Sequence, residues 1–524
     1  MKRVTNKPKR YRFVAVAALL CSTLIAACGG GSGQSSSGQS SSTEGPKQGG
    51  VLRVGLPEEP TSLDPGKALT LEDLTVMGQV VEPLFVFTSA NKLEPRLVTK
   101  TEKSPDLRRW KFTLRPGVKF SNGQPMTAAD VVFSINLTKT NPYYGSILEE
   151  LKTVHALSPS EVEIRTSKPF PAMEADLSLV VTGIVPKNLA GESSAEFGTH
   201  PIGTGPFAMK SWTRGGAVSL VPNPHYWEAG KPFLDELDFS AVPSEPSRLK
   251  QLEAGELDLI YGPEASPALR VAESKPGITV GTYQESAVQT LLLNPSSPLF
   301  ADARAREAVN LALDRSAVVK AAQGEFGGPA GTFLPEGVLY SDPALKNPSP
   351  NAEKAKALLA EAVKETGASP SIEFMVETNS TFQSLASQII QSNLEEVGFN
   401  VKIKQVDSAT FLELQDAGEF NLELTLYTSG SPDPSELTGY WGGVFEDIGA
   451  DTDRYNKLAA EASTEANAER REHLYREIQE LVLKENVLMT LTTSPAVWTG
   501  KEGVAGLNVN ALDFPFLMNT GFAP

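Results

Sequence analysis

Two thiols and four imidazoles occur in 524 residues: Cys21, Cys28, His155, His200, His225 and His473. The histidines are scattered and none pairs with another at metal-ligand spacing, so no zinc or iron–sulfur site is expected. Nucleophilic chemistry has no motif either. The chain lacks a G-x-S-x-G elbow, a Walker A loop and an H-E-x-x-H helix. Gly203-Thr204-Gly205 lacks the third glycine of a dinucleotide-binding turn. Carboxylates are plentiful, 63 in all, so some must meet by chance. A pair of acids can do acid–base work from anywhere in a fold, but most close pairs are structural. The missing motifs count against an enzyme without excluding one. A net charge of −16 also argues against nucleic acid, whose phosphates need a basic surface.

The two cysteines carry a different chemistry. All six charged residues among the first 27 are basic, and an apolar run from Phe13 to Ala27 follows. That is the pattern of an export signal, and the run is too short to span a bilayer. Leu24-Ile25-Ala26-Ala27-Cys28 resembles a bacterial lipobox, in which Cys28 becomes the lipidated first residue. Residues 29–45 are nearly all Gly, Ser, Gln and Thr, a composition that makes a flexible tether. The expected division is a signal peptide at 1–27 and a lipoprotein tether at 28–47. Cleavage removes six positive charges and Cys21, leaving a thiol-free body near −22. The expected location is extracytoplasmic, lipid-anchored to the cell membrane.

The body reads as α/β. Val51–Leu56 is a candidate strand, and Trp110, Phe112 and Leu114 alternate with polar residues as a half-buried strand does. Asn122-Gly123 marks a turn. Thr127 and Asp130 form a capping box for a helix running to about Thr138. Asp302 caps a helix with its apolar stripe at Ala305, Ala308, Val309 and Ala312. A second stripe, Ala386 to Val397, ends at Gly398 between candidate strands, giving a βαβ unit. A last helix carries Leu474, Tyr475, Ile478 and Val482 and leads into a strand near Leu488. At 40 % hydrophobic residues the chain can bury two to four domains, yet no linker divides it after residue 50. Discontinuous domains joined by crossing strands follow from that.

Several stretches together resemble the extracellular solute-binding protein family 5, the peptide and nickel receptors of ABC importers. The longest runs from Trp110 through Gly117, Asn122-Gly123 and Thr127 to Ser134. Thr61-Ser62-Leu63-Asp64-Pro65, Pro201 to Phe207, Asn223-Pro224-His225-Tyr226-Trp227, Asp302 to Arg315 and Ser431-Pro432-Asp433-Pro434 follow in the family's order. The likeness implies a two-lobed periplasmic-binding-protein-like fold with hinge strands and an extra domain in the first lobe. The implied limits are lobe I at 48–292 with the extra domain at about 90–210, lobe II at 293–490, and a return to lobe I at 491–524. One crossing is expected near Gln289–Asn294 and the other near Leu491–Thr493.

The resemblance implies a monomeric receptor that closes on a short peptide and hands it to membrane permease subunits, catalysing no reaction and needing no cofactor or metal. In its peptide-binding members an aspartate of the Asp-Pro loop holds the ligand's ammonium, and Asp433 is the matching position. The same residue also suits a turn before Pro434. Tyr427, Tyr440 and Trp441 flank that loop and can wall a pocket. His225-Tyr226-Trp227 is expected to pack a loop, and Arg304, Arg306 and Arg315 to lie on a helix surface or in ion pairs. The same fold also suits an oligosaccharide or a metal chelate, and a secreted hydrolase is disfavoured by the missing nucleophile motifs.

Overall fold

The computed structural model describes residues 45–524 except 262–264, 266, 284–286, 379 and 449–451. The export signal, Cys28 and nearly all of the tether lie outside the described residues. Three sheets organise the rest. The first has seven strands in the order Ile278–Tyr283, Ala496–Lys501, Leu259–Tyr261, Val51–Leu56, Glu236–Ala241, Val218–Pro222 and Phe207–Trp212. Val51–Leu56 sits at its centre, parallel to both neighbours, and its Leu52, Val54 and Leu56 are fully buried. These alternate residues share the face packed into the lobe's core, whereas Arg53 on the other face is exposed.

The second sheet orders Asn400–Val406, Ser371–Glu377, Leu422–Thr428, Ala287–Leu293 and Leu488–Thr493. The expected βαβ unit is here: Ser371–Glu377 pairs in parallel with Asn400–Val406 across the helix Thr381–Val397. That helix buries Ala386, Ile390, Leu394 and Val397, and Gly398 ends it in the left-handed region at φ 108°. Asp302 caps Ala303–Ala312 by accepting the Arg304 N–H at 2.8 Å. The third sheet is antiparallel, ordered Val98–Lys103, Arg109–Leu114, Glu161–Thr166 and Leu151–Ser158. Trp110 and Phe112 anchor its own core beneath the helix Ala128–Thr138. The Asp130 carboxylate accepts both the N–H and the hydroxyl of Thr127 there, at 2.8 and 2.7 Å.

The chain passes from the first sheet to the second between Tyr283 and Ala287, since Ala287–Leu293 is wholly a strand of the second sheet. It returns across Ser494 and Pro495, between Leu488–Thr493 and Ala496–Lys501. The protein is thus two-lobed and α/β, with two short connections between the large sheets. Arg270 of the first lobe adds a contact beside them: it pairs with Glu325 and lies 5.1 Å from the Phe326 ring centroid.

Candidate functional site

A cavity of about 1050 Å³ lies between the lobes and is walled by both. On the first-lobe side the helix Leu71–Met77 presents its N-terminal corner. Buried Asp73 fixes that corner, accepting the N–H groups of Leu69 and Thr70 at 2.8 and 3.1 Å and a hydroxyl bond from Thr61 at 2.9 Å. The Thr61–Pro65 stretch is therefore a brace for this wall. Gly203 and Gly205 serve the same region by close packing: a Cβ at Gly203 would lie 2.0 Å from the Val80 carbonyl oxygen.

The C-terminal segment completes the first-lobe wall. Asn510 accepts the N–H groups of Leu512 and Phe514, each at 3.0 Å, closing a turn that holds Asp513 at φ 57°. The indole of Trp498 donates to Asp513 at 3.2 Å, and the Tyr261 hydroxyl bonds to it as well. Burial pushes the Asp513 carboxyl up to about 7, against those two hydrogen bonds. Glu72 is raised too, by burial first and by Glu58 and Asp73 beside it. Phe514, Phe516, Tyr143 and Tyr144 supply the apolar faces.

The second-lobe wall is built from Thr425 and Tyr427 of one strand, Tyr440 of the helix Pro434–Asp447, Phe411 and Gln415 of the helix Ser408–Ala417, and Glu377. The Tyr427 and Tyr440 rings lie 4.8 Å apart at a tilt of 38°, with Trp441 behind them at 5.3 and 5.2 Å. Trp441 is a core residue, 1 % exposed, and does not line the cavity.

Asp433 does not line it either. Its carboxylate accepts both guanidinium arms of Arg471, at 2.7 and 2.8 Å, and the Ser435 N–H at 3.0 Å. It caps Pro434–Asp447 and sits in a buried ion pair. Arg304 pairs with Asp302, and Arg306 with Glu485 at 3.7 Å. Arg315 departs from the expected surface or ion-pair role: it is buried and bonds the Thr490 carbonyl at 2.7 Å, and burial lowers it to about 10. His225-Tyr226-Trp227 packs as a loop, with Arg96 and Arg115 over the Trp227 ring at 4.5 and 4.4 Å.

The lobes also touch through buried groups outside the cavity lining. Ser431 of the second lobe donates to Asp176 of the first at 2.8 Å. Burial and the nearby Asp433 raise Asp176 well above the carboxylate range.

A cleft between two lobes with largely apolar walls, a few placed polar groups and, among the described residues, no metal-ligating cluster is suited to holding a solute. Residues 92–447 match the family described as bacterial extracellular solute-binding proteins, family 5. The chain belongs to that family. It is a substrate-binding protein of an ABC importer and not an enzyme. It is 27 % identical over 425 residues to the oligopeptide-binding protein AppA of Bacillus subtilis, covering 75 % of this chain and 76 % of that one. It is 25 % identical over 480 residues to the glutathione-binding protein GsiB of Salmonella typhi, covering 88 % and 91 %. Its fold matches the substrate-binding protein CtaP of Listeria monocytogenes with a TM-score of 0.82 at 23 % identity, covering 91 % of this chain and all of that one.

Of the four ligand-site residues read from the sequence, two face the cleft of this family member, Tyr427 and Tyr440. Glu72, Asp513, Tyr143, Tyr144 and Phe514 were not foreseen. The only local sign was the Asn510–Phe514 turn with its Asp and two flanking aromatics, in a segment read merely as a return to lobe I.

Proposed function

We propose that the protein captures a short peptide outside the cytoplasm by hinge closure and delivers it to the permease of its importer. The observation that carries this reading is the cavity itself: both lobes wall it, and two short connections are all that join their sheets. A ligand that touches both walls favours the closed arrangement by its differential contacts. The names of the relatives supply the peptide, and the aromatic walls suit its side chains. Cys28 carries the lipid and residues 28–47 the reach, so the receptor works as an anchored monomer beside its permease.

Short peptides raise the melting temperature of the purified protein by native-state binding, and mass spectrometry of the freshly purified chain finds the solute it retained. A broad peptide set without any shift, beside a shift with oligosaccharides, moves the assignment to sugars. Cys28→Ser releases the protein from the cell surface; full retention removes the lipid anchor.

A further inference from the structure

The charged groups that line the cavity are unbalanced. Among the described residues they are Glu58, Glu72, Glu82, Glu94, Glu377 and Asp513 against the single cation Arg96. Arg96 is already engaged, with Glu82 at 2.7 Å, Glu228 at 3.0 Å and the Tyr226 hydroxyl. It offers nothing to a ligand carboxylate. Glu82 is correspondingly covered by Arg96 and by the Trp227 N–H at 3.0 Å.

The other acids have no such partner on the lining. Asp513 is buried and is met by a phenol and an indole, both neutral. Glu72 faces Glu58, Asp73 and Asp513, and Arg248, which feels its charge from outside the lining, spends its Nη1 on the carbonyls of Val242 and Pro243. Glu377, from the opposite lobe, meets Ser408 and Gln383. Carboxylates drawn out of water want a counter-charge, and neutral donors stabilise them only in part. The Asn510 turn fixes Asp513 in its left-handed backbone, so the group is set in place before a ligand arrives. The aromatic rings beside it can take a cation on their faces or an apolar stem on their edges.

We propose that the cleft is selective for a cationic solute, its ammonium or guanidinium group lodged between Glu72 and Asp513 of the first lobe with Glu377 closing from the second. The proposal rests on the solute-binding reading of the cleft and names its substrate class: an organic cation with an apolar body, such as a basic peptide. Solutes whose recognition needs a cation for their carboxylate are excluded, because Arg96 is taken.

Calorimetry on the purified full chain tests it with lysine-containing tripeptides, the same peptides carrying glutamine or glutamate instead, and the non-peptide amines spermidine and phenethylamine. The lysine peptides bind about tenfold or more tighter than their glutamine forms, and the glutamate forms do not bind. Asp513→Asn and Glu72→Gln each cost about tenfold for the cationic set. Should a variant fail to fold, the charge series on the unmodified protein decides alone. Amines binding where lysine peptides do not keeps the charge assignment and replaces the peptide. Neutral or anionic peptides binding as well as cationic ones overturns the charge assignment and leaves the receptor reading standing. No binding by any set, with no solute retained on purification, overturns both.

Discussion

Asp433 and Asp513 are buried carboxylates of opposite lobes, and they are satisfied in opposite ways. Asp433 has a guanidinium built against it: Arg471, 3 % exposed, holds both of its oxygens. Asp513 has only an indole and a phenol, and it looks into a cavity. A buried acid with its own cation is finished when the chain folds. A buried acid with neutral donors and an open space in front is finished when something else arrives. The motif-borne aspartate is thus held by its own guanidinium away from the cavity lining, and the unremarked one near the C-terminus lies on that lining.

The strongest way to break this contrast is to remove the built-in cation. Arg471→Ala leaves Asp433 charged and alone, at a cost of about 3–5 kcal/mol seen in denaturant unfolding. The affinity of the folded fraction stays the same. A variant of ordinary stability that no longer binds solute would return Asp433 to the ligand site. Trp441→Ala makes a similar point about the aromatic cluster, losing about 3–5 kcal/mol because the ring fills the core behind Tyr427.

The pH dependence of stability separates the two acids next. Asp513 keeps its proton up to about 7 when folded, against an ordinary 3.8. The folded state then binds that proton more tightly than the unfolded chain does. Its stabilising effect is complete below about pH 4 and is lost as pH rises towards 7. Burial gives Glu423 and Glu436 the same sign, raising them to about 8 and about 7. The ligand-free protein therefore loses stability from pH 4 to pH 8, and Asp513→Asn flattens part of that slope by up to a few kcal/mol. An unchanged slope in the variant would show that Asp513 is already balanced.

Smaller effects sharpen the geometry. Tyr440→Ala removes an exposed face of the second-lobe wall and weakens binding by about 0.5–1.5 kcal/mol with little change in stability. A loss of stability instead would place its ring in the core with Trp441. Ser431→Ala deletes the hydrogen bond between the lobes, and the ligand leaves a few-fold faster for a loss of about 1 kcal/mol. An unchanged dissociation rate would show that the Ser431–Asp176 contact does not hold the lobes together.

Much of the fold is legible because its signals are short-range. Trp110, Phe112 and Leu114 alternate within six residues, and the strand Arg109–Leu114 buries all three. The Asp302 cap and the stripe behind it lie within three turns of one helix. The Tyr427–Tyr440–Trp441 cluster was findable because its members flank one loop, but which ring faces the cavity was not. Tyr440 and Trp441 are adjacent on a helix, and packing against Tyr427 and Phe445, at 5.3 and 5.9 Å between centroids, holds Trp441 in the core. Asp433 read equally well as a ligand group or as a turn residue, because the partner that decides it, Arg471, sits on a different helix.

By itself the sequence determined the α/β elements, their caps, the absence of a catalytic motif and the strongly acidic body. Each depends on residue type or on spacing within one element. Tertiary structure decided where that acidity matters. Glu72 and Asp513 come from opposite ends of the chain and meet because the C-terminal segment returns to the first sheet beside the helix Leu71–Met77. Whether a carboxylate is buried, paired or left facing a cavity is set by neighbours remote in sequence, and those are chosen only when the sheets assemble.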